Sequence, residues 1–198
     1  IDLDDSPLAM DAAGLAADYL AAMHIVDTVD VREVEIMRPE GSMILDQTTL
    51  RNLELTQTLS GEKEGSLIGA IDRCRTSMGR RTLKQWILRP LANKVEIERR
   101  QDAVASLARS SRRLDEVRGN LRGLRDMERL ATQLSYNRSG GRDLLAIGLA
   151  LERMPRLKSI CQEMDDELLN LLSKDLDVLE MMRIDIQANM NDEIPLSL

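Results

Sequence analysis

Apolar residues recur at three- and four-residue steps along most of this chain, the spacing of one face of an α-helix. The pattern is richest between Ser66 and Leu91, SLIGAIDRCRTSMGRRTLKQWILRPL. Leu67, Ile71 and Cys74 fall at i, i+4 and i+7. Thr76 then supplies an N-cap hydroxyl, which predicts a short break and a second helix from Ser77. Leu83, Trp86 and Ile87 share one side of that helix, with Arg80, Arg81, Lys84 and Gln85 on the others. Gly79 is worse than Ala by about 1 kcal/mol inside a helix, so it fits either a close backbone approach or a loose first turn. Pro90 ends the helix by disfavouring α geometry at Arg89. Trp86 is the single Trp of a chain without Phe. It is expected to be the largest buried side chain, in a packing hub, with truncation costing about 3–5 kcal/mol.

Pro7 in a first turn, followed by Leu8, Ala12, Leu15, Ala16, Tyr19, Leu20 and Met23, predicts an N-terminal helix. Val29, Val31, Val34 and Ile36 alternate as in a strand, Pro39 to Gly41 reads as a turn, and Ser42 to Leu45 as a partner strand. One short β-hairpin is expected there. Asp46 caps a helix bearing Leu50 and Leu53, and Ser60 to Gly65 is a loop. Asn93 and Glu96 form an N-x-x-E start for a helix ending near Arg109. Ser110 or Ser111 opens the next, with Leu114, Val117, Leu121 and Leu124, and Asp126 caps another with Met127, Leu130 and Leu134. A loop over Asn137 to Gly141 leads to a helix with Leu144, Ile147, Leu151 and Met154, restarted by Pro155. From Met164, the residues Leu168, Leu172, Leu176, Leu179 and Ile186 predict one long amphipathic helix ending at Pro195. Its leucine stripe must be covered, either by folding back on residues 143–160 or by a second copy. The fold class is therefore mainly α: a multi-helix core, a long helix and one short β-hairpin.

At 198 residues the chain is long enough for a real core. With Ile1 first and no secretory signal ahead of it, it is expected to be a segment cut from a longer protein. The longest apolar run, Leu144 to Leu151, is far too short to span a membrane. Cys74 and Cys161 lack CxxC spacing and read as separate reduced thiols of a cytosolic protein, although sequence alone leaves a disulfide between them open. The net charge of −7 conceals an asymmetry. Residues 1–72 carry 4 basic and 15 acidic side chains, residues 73–142 carry 18 and 7, and residues 143–198 carry 5 and 12. A basic middle fits nucleic acid nearby or, more simply, helix faces that meet acidic faces of the same protein.

Reactive chemistry is missing. No G-x-x-x-x-G-K-[ST] loop is present, and the Gly-rich stretches Gly61 to Gly65 and Gly140–Gly141 lack its Lys. His24 is the one His, which removes His-based triads and multi-His metal sites. Asp165, Asp166 and Glu167 read as a charged first helical turn rather than a cation site. The Arg-rich span 109–129 contains no aromatic residue, so it offers no platform for stacked bases. No catalytic, cofactor-binding or metal-binding residue is assigned. The residues alone describe a helical packing or transmission module.

Three blocks sharpen that description: SMILDQTTLRNLELTQTLSGE (42–62), SLIGAIDRCRTSMGRRTLKQWILRPL (66–91) and MERLATQLSYNRSGGRDLLAIGLAL (127–151). In order and spacing they resemble the core domain of the MutS family of DNA mismatch-recognition ATPases. Asp46, Asn52, Leu53 and Glu54 fall on the family's D-x-x-T-x-x-N-L-E. Asp72, Thr76, Gly79, Arg81, Leu83, Trp86, Pro90 and Leu91 fall on its next block, and Arg142, Asp143 and Leu144 on its R-D-L. Ser77 stands where many relatives carry Pro.

The resemblance implies three regions: residues 1–27 as the end of a connector domain and its linking helix, 28–163 as core, and 164–198 as the first lever helix leading toward a DNA clamp. It also implies a non-catalytic scaffold that couples mismatched double-stranded DNA, held by other domains, to ATPase domains that bind ATP and Mg. The implied parent is a cytoplasmic, nucleoid-associated homodimer with a MutL-type partner and no membrane contact. Two other readings stand beside this one: the core of a MutS homologue acting in recombination, and a stand-alone helical protein-interaction module.

Overall fold

The structure is a computed structural model and describes residues 7–22, 41–136 and 140–190. It divides into two units, Ile1–Glu40 and Gly41–Leu198. In the first, α1 (Pro7–Ala22) leaves Leu8, Met10, Leu15 and Tyr19 exposed to solvent.

The second unit is built from ten helices among its described residues: α2 (Gln47–Asn52), α3 (Leu67–Ile71), α4 (Ser77–Leu88), α5 (Lys94–Arg109), α6 (Ser111–Leu121), α7 (Met127–Ser135), α8 (Gly141–Leu151), α9 (Met154–Gln162), α10 (Glu167–Asp175) and α11 (Glu180–Asn189). Most of them start where a short polar side chain can accept an orphan N–H. Asp46, Ser66, Thr76, Asn93, Ser110, Asp126 and Asp166 each accept a backbone N–H from two or three residues ahead. The mainly α expectation holds.

The core lies in the second half of the unit. Leu130 of α7 and Ile147 and Leu151 of α8 form its centre, flanked by Met127, Leu134, Met154 and Ile186. Ile160 of α9 is fully buried. Helix α10 packs on α9 and α5, α6 on α5 and α9, and α8 on α7, α9 and α11.

Three expectations need correction. The first is the hairpin. Residues 29–40, which would form its first arm and most of its turn, lie outside the described residues. Ser42, in the expected second arm, makes an isolated antiparallel bridge to Leu91 instead. The Met43 N–H donates to the Pro90 carbonyl and the Ala92 N–H to the Gly41 carbonyl, both at 2.7 Å. Pro90 stops α4 and leaves the next residues extended with unpaired backbone groups, and those groups take up the partner. No strand longer than this bridge forms among the described residues, so the hairpin is not supported.

The second correction concerns the long helix expected from Met164. It is two short helices, α10 and α11, separated by Leu176–Leu179. The Leu176 carbonyl takes a hydrogen bond from Lys158 Nζ at 2.8 Å, and Asp177 Oδ1 accepts the Leu179 N–H at 2.9 Å. Both bonds compete with helix continuation, and a side-chain acceptor such as Asp supplies the alternative partner. Leu179 then sits in the left-handed region at φ 44°. The helices do fold back on residues 143–160, through α10 on α9 and α11 on α8, but not by the expected stripe: Leu169 and Ser173 are the buried positions of α10, while Leu172 and Leu179 stay exposed.

The third is Trp86, which is 46% exposed rather than the buried hub of the core.

Candidate functional site

The residues of the three sequence blocks are distributed over neighbouring joints. Asp46 caps α2 through the Thr49 N–H at 2.6 Å, and that bond holds its carboxyl below the usual Asp value. At the end of α2, Asn52 and Leu53 are exposed. Glu54 turns the chain at φ 48°, and its Oε1 accepts the Leu59 N–H at 2.6 Å. The carbonyls of Glu54 and Leu55 accept the N–H groups of Leu67 and Ile68 at 3.0 and 2.9 Å, fastening the loop to the start of α3.

Asp72 follows α3 and its side chain is 9% exposed. It accepts from Lys63 Nζ at 3.0 Å and from the Cys74 N–H at 3.1 Å, with Arg80 Nε at 3.6 Å. Lys63 first, then the Cys74 N–H, hold its carboxyl below the usual value. Thr76 is buried and caps α4 through the Gly79 N–H at 3.0 Å. A Cβ on Gly79 would lie 3.1 Å from Thr76 Oγ1 and 3.7 Å from Cys74 Cβ. The crowding that favours glycine therefore comes from its own cap and the preceding loop, not from another helix.

Arg81 reaches from α4 to the start of α7. It pairs with both oxygens of Asp126, one at 2.9 Å, and with Glu128. Asp126 also caps α7 by accepting the Arg129 N–H at 3.3 Å. Hydrogen bonding to Arg81 holds the Asp126 carboxyl far below the ordinary Asp range and raises the guanidinium in turn.

Trp86, Pro90 and Leu91 meet elsewhere. With Ile97, Arg100 and Val104 they line an apolar cleft of about 550 Å³, and Arg100 lies over the indole at 4.0 Å from the ring centre. Asp143 accepts the Gly140 N–H at 3.1 Å and Arg125 Nη1 at 3.0 Å, whereas Arg142 is exposed.

This arrangement joins elements without presenting a reactive centre. Among the described residues no group of three or more His, Cys, Asp or Glu could hold a metal ion. The thiols of Cys74 and Cys161 are both raised above the ordinary value, chiefly by burial. No described helix is long and apolar enough to cross a membrane.

Residues 48–196 match the protein family described as MutS domain III. The chain belongs to that family. It is 35% identical over 188 residues to the DNA mismatch repair protein MutS of Caldicellulosiruptor saccharolyticus, covering 94% of this chain and 22% of that protein. It is 34% identical to the protein of the same name from Myxococcus xanthus over 99% of this chain, and 36% identical to that of Synechococcus elongatus over 97%. The chain thus spans about a fifth of these relatives' length, 22% in each case.

Within this MutS domain III segment, sequence reasoning named one side of several links and missed the other. Arg81 was legible as a motif residue, but its partners Asp126 and Glu128 lie more than forty residues on. Glu116 of α6 and Glu163 beyond α9 share Arg113 and Arg156, and Arg153 donates to the carbonyls of Asn120 at 3.2 Å and Arg122 at 2.6 Å. Opposite charge is the one signal these pairs carry, and in a chain with 27 basic and 34 acidic side chains it selects no partner.

Proposed function

We propose that this chain is the non-catalytic core of a DNA mismatch-repair protein and couples DNA held by other parts of the parent to its ATPase domains. The observation that carries this reading is the use of the motif residues: Asp46, Asp72, Thr76, Arg81 and Asp143 cap helices or cross-link them. The transmitting body is then a set of pinned helices rather than one long lever. In this reading the parent binds ATP and Mg²⁺ outside the present chain, whose sequence has no phosphate loop. It grips mismatched double-stranded DNA through its other domains, forms a homodimer, and works with a MutL-type partner at the nucleoid. The name shared by the relatives, DNA mismatch repair protein MutS, supports repair over a role in recombination.

Coupling between two ligands is typically about 1–3 kcal/mol, so one softened joint can remove it while folding persists. The test places Arg81→Gln in the intact parent. Helicity and nucleotide-free mismatch binding are expected to persist, with ATP-triggered release from DNA slowed. Wild-type release kinetics in that variant would refute the coupling role.

A further inference from the structure

The basic middle of the chain is less exposed as charge than its composition implies. Arg81, Arg99, Arg112, Arg113 and Arg125 are all engaged by carboxylates of the same unit. Around the α3–α4 junction the balance differs. Lys63 and Arg80 are 52% and 60% exposed and share the single carboxylate of Asp72. Arg73 and Arg118 bond to carbonyls and make no ion pair among the described residues: Arg73 donates to the Asp72 carbonyl at 3.1 Å and Arg118 to the Arg73 carbonyl at 3.3 Å. Arg75 and Lys84 are exposed, with no carboxylate partner among the described residues. A cleft of about 410 Å³ lined by Lys63, Asp72, Arg80, Arg81 and Lys84 lies here. The shared Asp72 carboxylate, the Arg118–Arg73 hydrogen bond and the cleft gather these cations around the α3–α4 junction, with Arg75 in the turn just before the Thr76 cap.

We propose that the face formed by Lys63, Arg73, Arg75, Arg80, Lys84 and Arg118 is a sequence-independent contact for the phosphodiester backbone of duplex DNA. The proposal rests on reading the chain as part of a DNA-repair protein. Arginines and lysines without an aromatic neighbour suit phosphates: they release condensed counterions and fix position, and they read no base. The contact is therefore indifferent to mismatches and distinct from recognition of the lesion.

The test uses the 198-residue chain and a short labelled homoduplex, with Kd measured from about 50 to about 200 mM salt. Arg73→Gln, Arg75→Gln and Lys84→Gln should each flatten the log–log salt dependence by about 0.9, the slope that one neutralised phosphate contributes, with helicity unchanged. Arg73→Lys and Arg75→Lys should restore it, because charge is the determinant. Arg112→Gln and Lys94→Gln, which alter exposed cations paired with Glu116 and Glu98, should leave it unchanged. The proposal is overturned if the chain does not bind duplex, if the three variants bind like the parent sequence, or if the two controls weaken binding equally. It is also overturned if a glutamate-rich peptide of equal charge binds as tightly as the duplex, which would reassign the face to an acidic protein partner. None of these failures touches the coupling role, which is read from ATP-triggered release in the intact parent.

Discussion

Replacing Gly148 by Ala sets two effects of opposite sign against each other. Gly148 is buried in α8, where α11 crosses it. Ala is favoured over Gly by about 1 kcal/mol in a helix interior. Here, however, a Cβ would come within 2.7 Å of Ile186 Cγ2 and 3.6 Å of Ile186 Cβ. Carbon atoms pack best at about 3.5–4.0 Å, so the new methyl overlaps Ile186 by roughly 1 Å. The Cγ2 atom is bonded directly to Cβ of a β-branched side chain, which leaves little freedom to move aside. Overpacking of this kind costs about 1–3 kcal/mol, so Gly148→Ala should destabilise the unit by up to about 2 kcal/mol net. The same substitution made in an Ile186→Ala background meets no Cγ2 and should stabilise by up to about 1 kcal/mol. The assay is urea unfolding of both backgrounds, followed by far-UV dichroism and by the fluorescence of Trp86. Stabilisation in both backgrounds would show that α11 does not dock at Gly148. Destabilisation of equal size in both would show that Ile186 is not the obstacle.

Trp86→Leu should cost about 1–2 kcal/mol in the same unfolding assay rather than the 3–5 kcal/mol of a buried aromatic, because the indole is already half exposed. Arg100→Gln should shift the emission of Trp86 while changing stability by less than about 1 kcal/mol, as expected for a cation–π contact at an exposed site. The carboxyls of Asp72 and Asp126 are held below their ordinary value of 3.8 in the fold, so the stability they contribute is complete above that pH and is lost as the pH falls below it. Asp126→Asn should accordingly flatten the acid limb of the stability profile, and an unchanged limb would refute the linkage. Leu179→Gly should leave stability unchanged or raise it by up to about 1 kcal/mol, because the left-handed backbone at φ 44° is strained for leucine and its side chain is 42% exposed. A clear loss would mean that the Leu179 side chain holds α11 in place.

The helix starts were legible because their signals are local. Asp46, Thr76, Asn93, Ser110 and Asp126 each act on a backbone N–H two or three residues ahead, within the window in which a sequence pattern is read. The failures arose where a distant group intervened. The leucine period from Leu168 to Leu179 gave no warning that Lys158, eighteen residues earlier, would take the Leu176 carbonyl. Size alone argued for burying Trp86, yet the helix that carries it turns that side toward α5 and solvent, where Arg100 covers one ring face. Ser42 to Leu45 resembled a hairpin arm by its neighbours in sequence and found its partner at Leu91 instead. The family blocks were legible as a group, but their division into separate joints was not, since spacing along a chain says nothing about which arginine meets which carboxylate.

The carboxylates at these joints carry two duties. Asp126 caps α7 and receives Arg81 from α4. Asp143 holds the Gly140 N–H at the entry to α8 and receives Arg125 from the loop before α7. Asp72 orders the turn into α4 through the Cys74 N–H and receives Lys63 and Arg80. A capped carboxylate is pinned by its own backbone, so an arginine that binds it grips the end of a helix rather than a freely rotating side chain. In the proposed coupling role, displacement of α4 would pass to the first turn of α7 through this pair, and from α7 to α8 through the packing of Leu130, Ile147 and Leu151. Removing the arginine leaves the cap intact and cuts only the link; removing the aspartate takes away both. The two substitutions therefore separate communication from folding, which is why Arg81→Gln, rather than a change at Asp126, is the variant that isolates coupling in the intact protein.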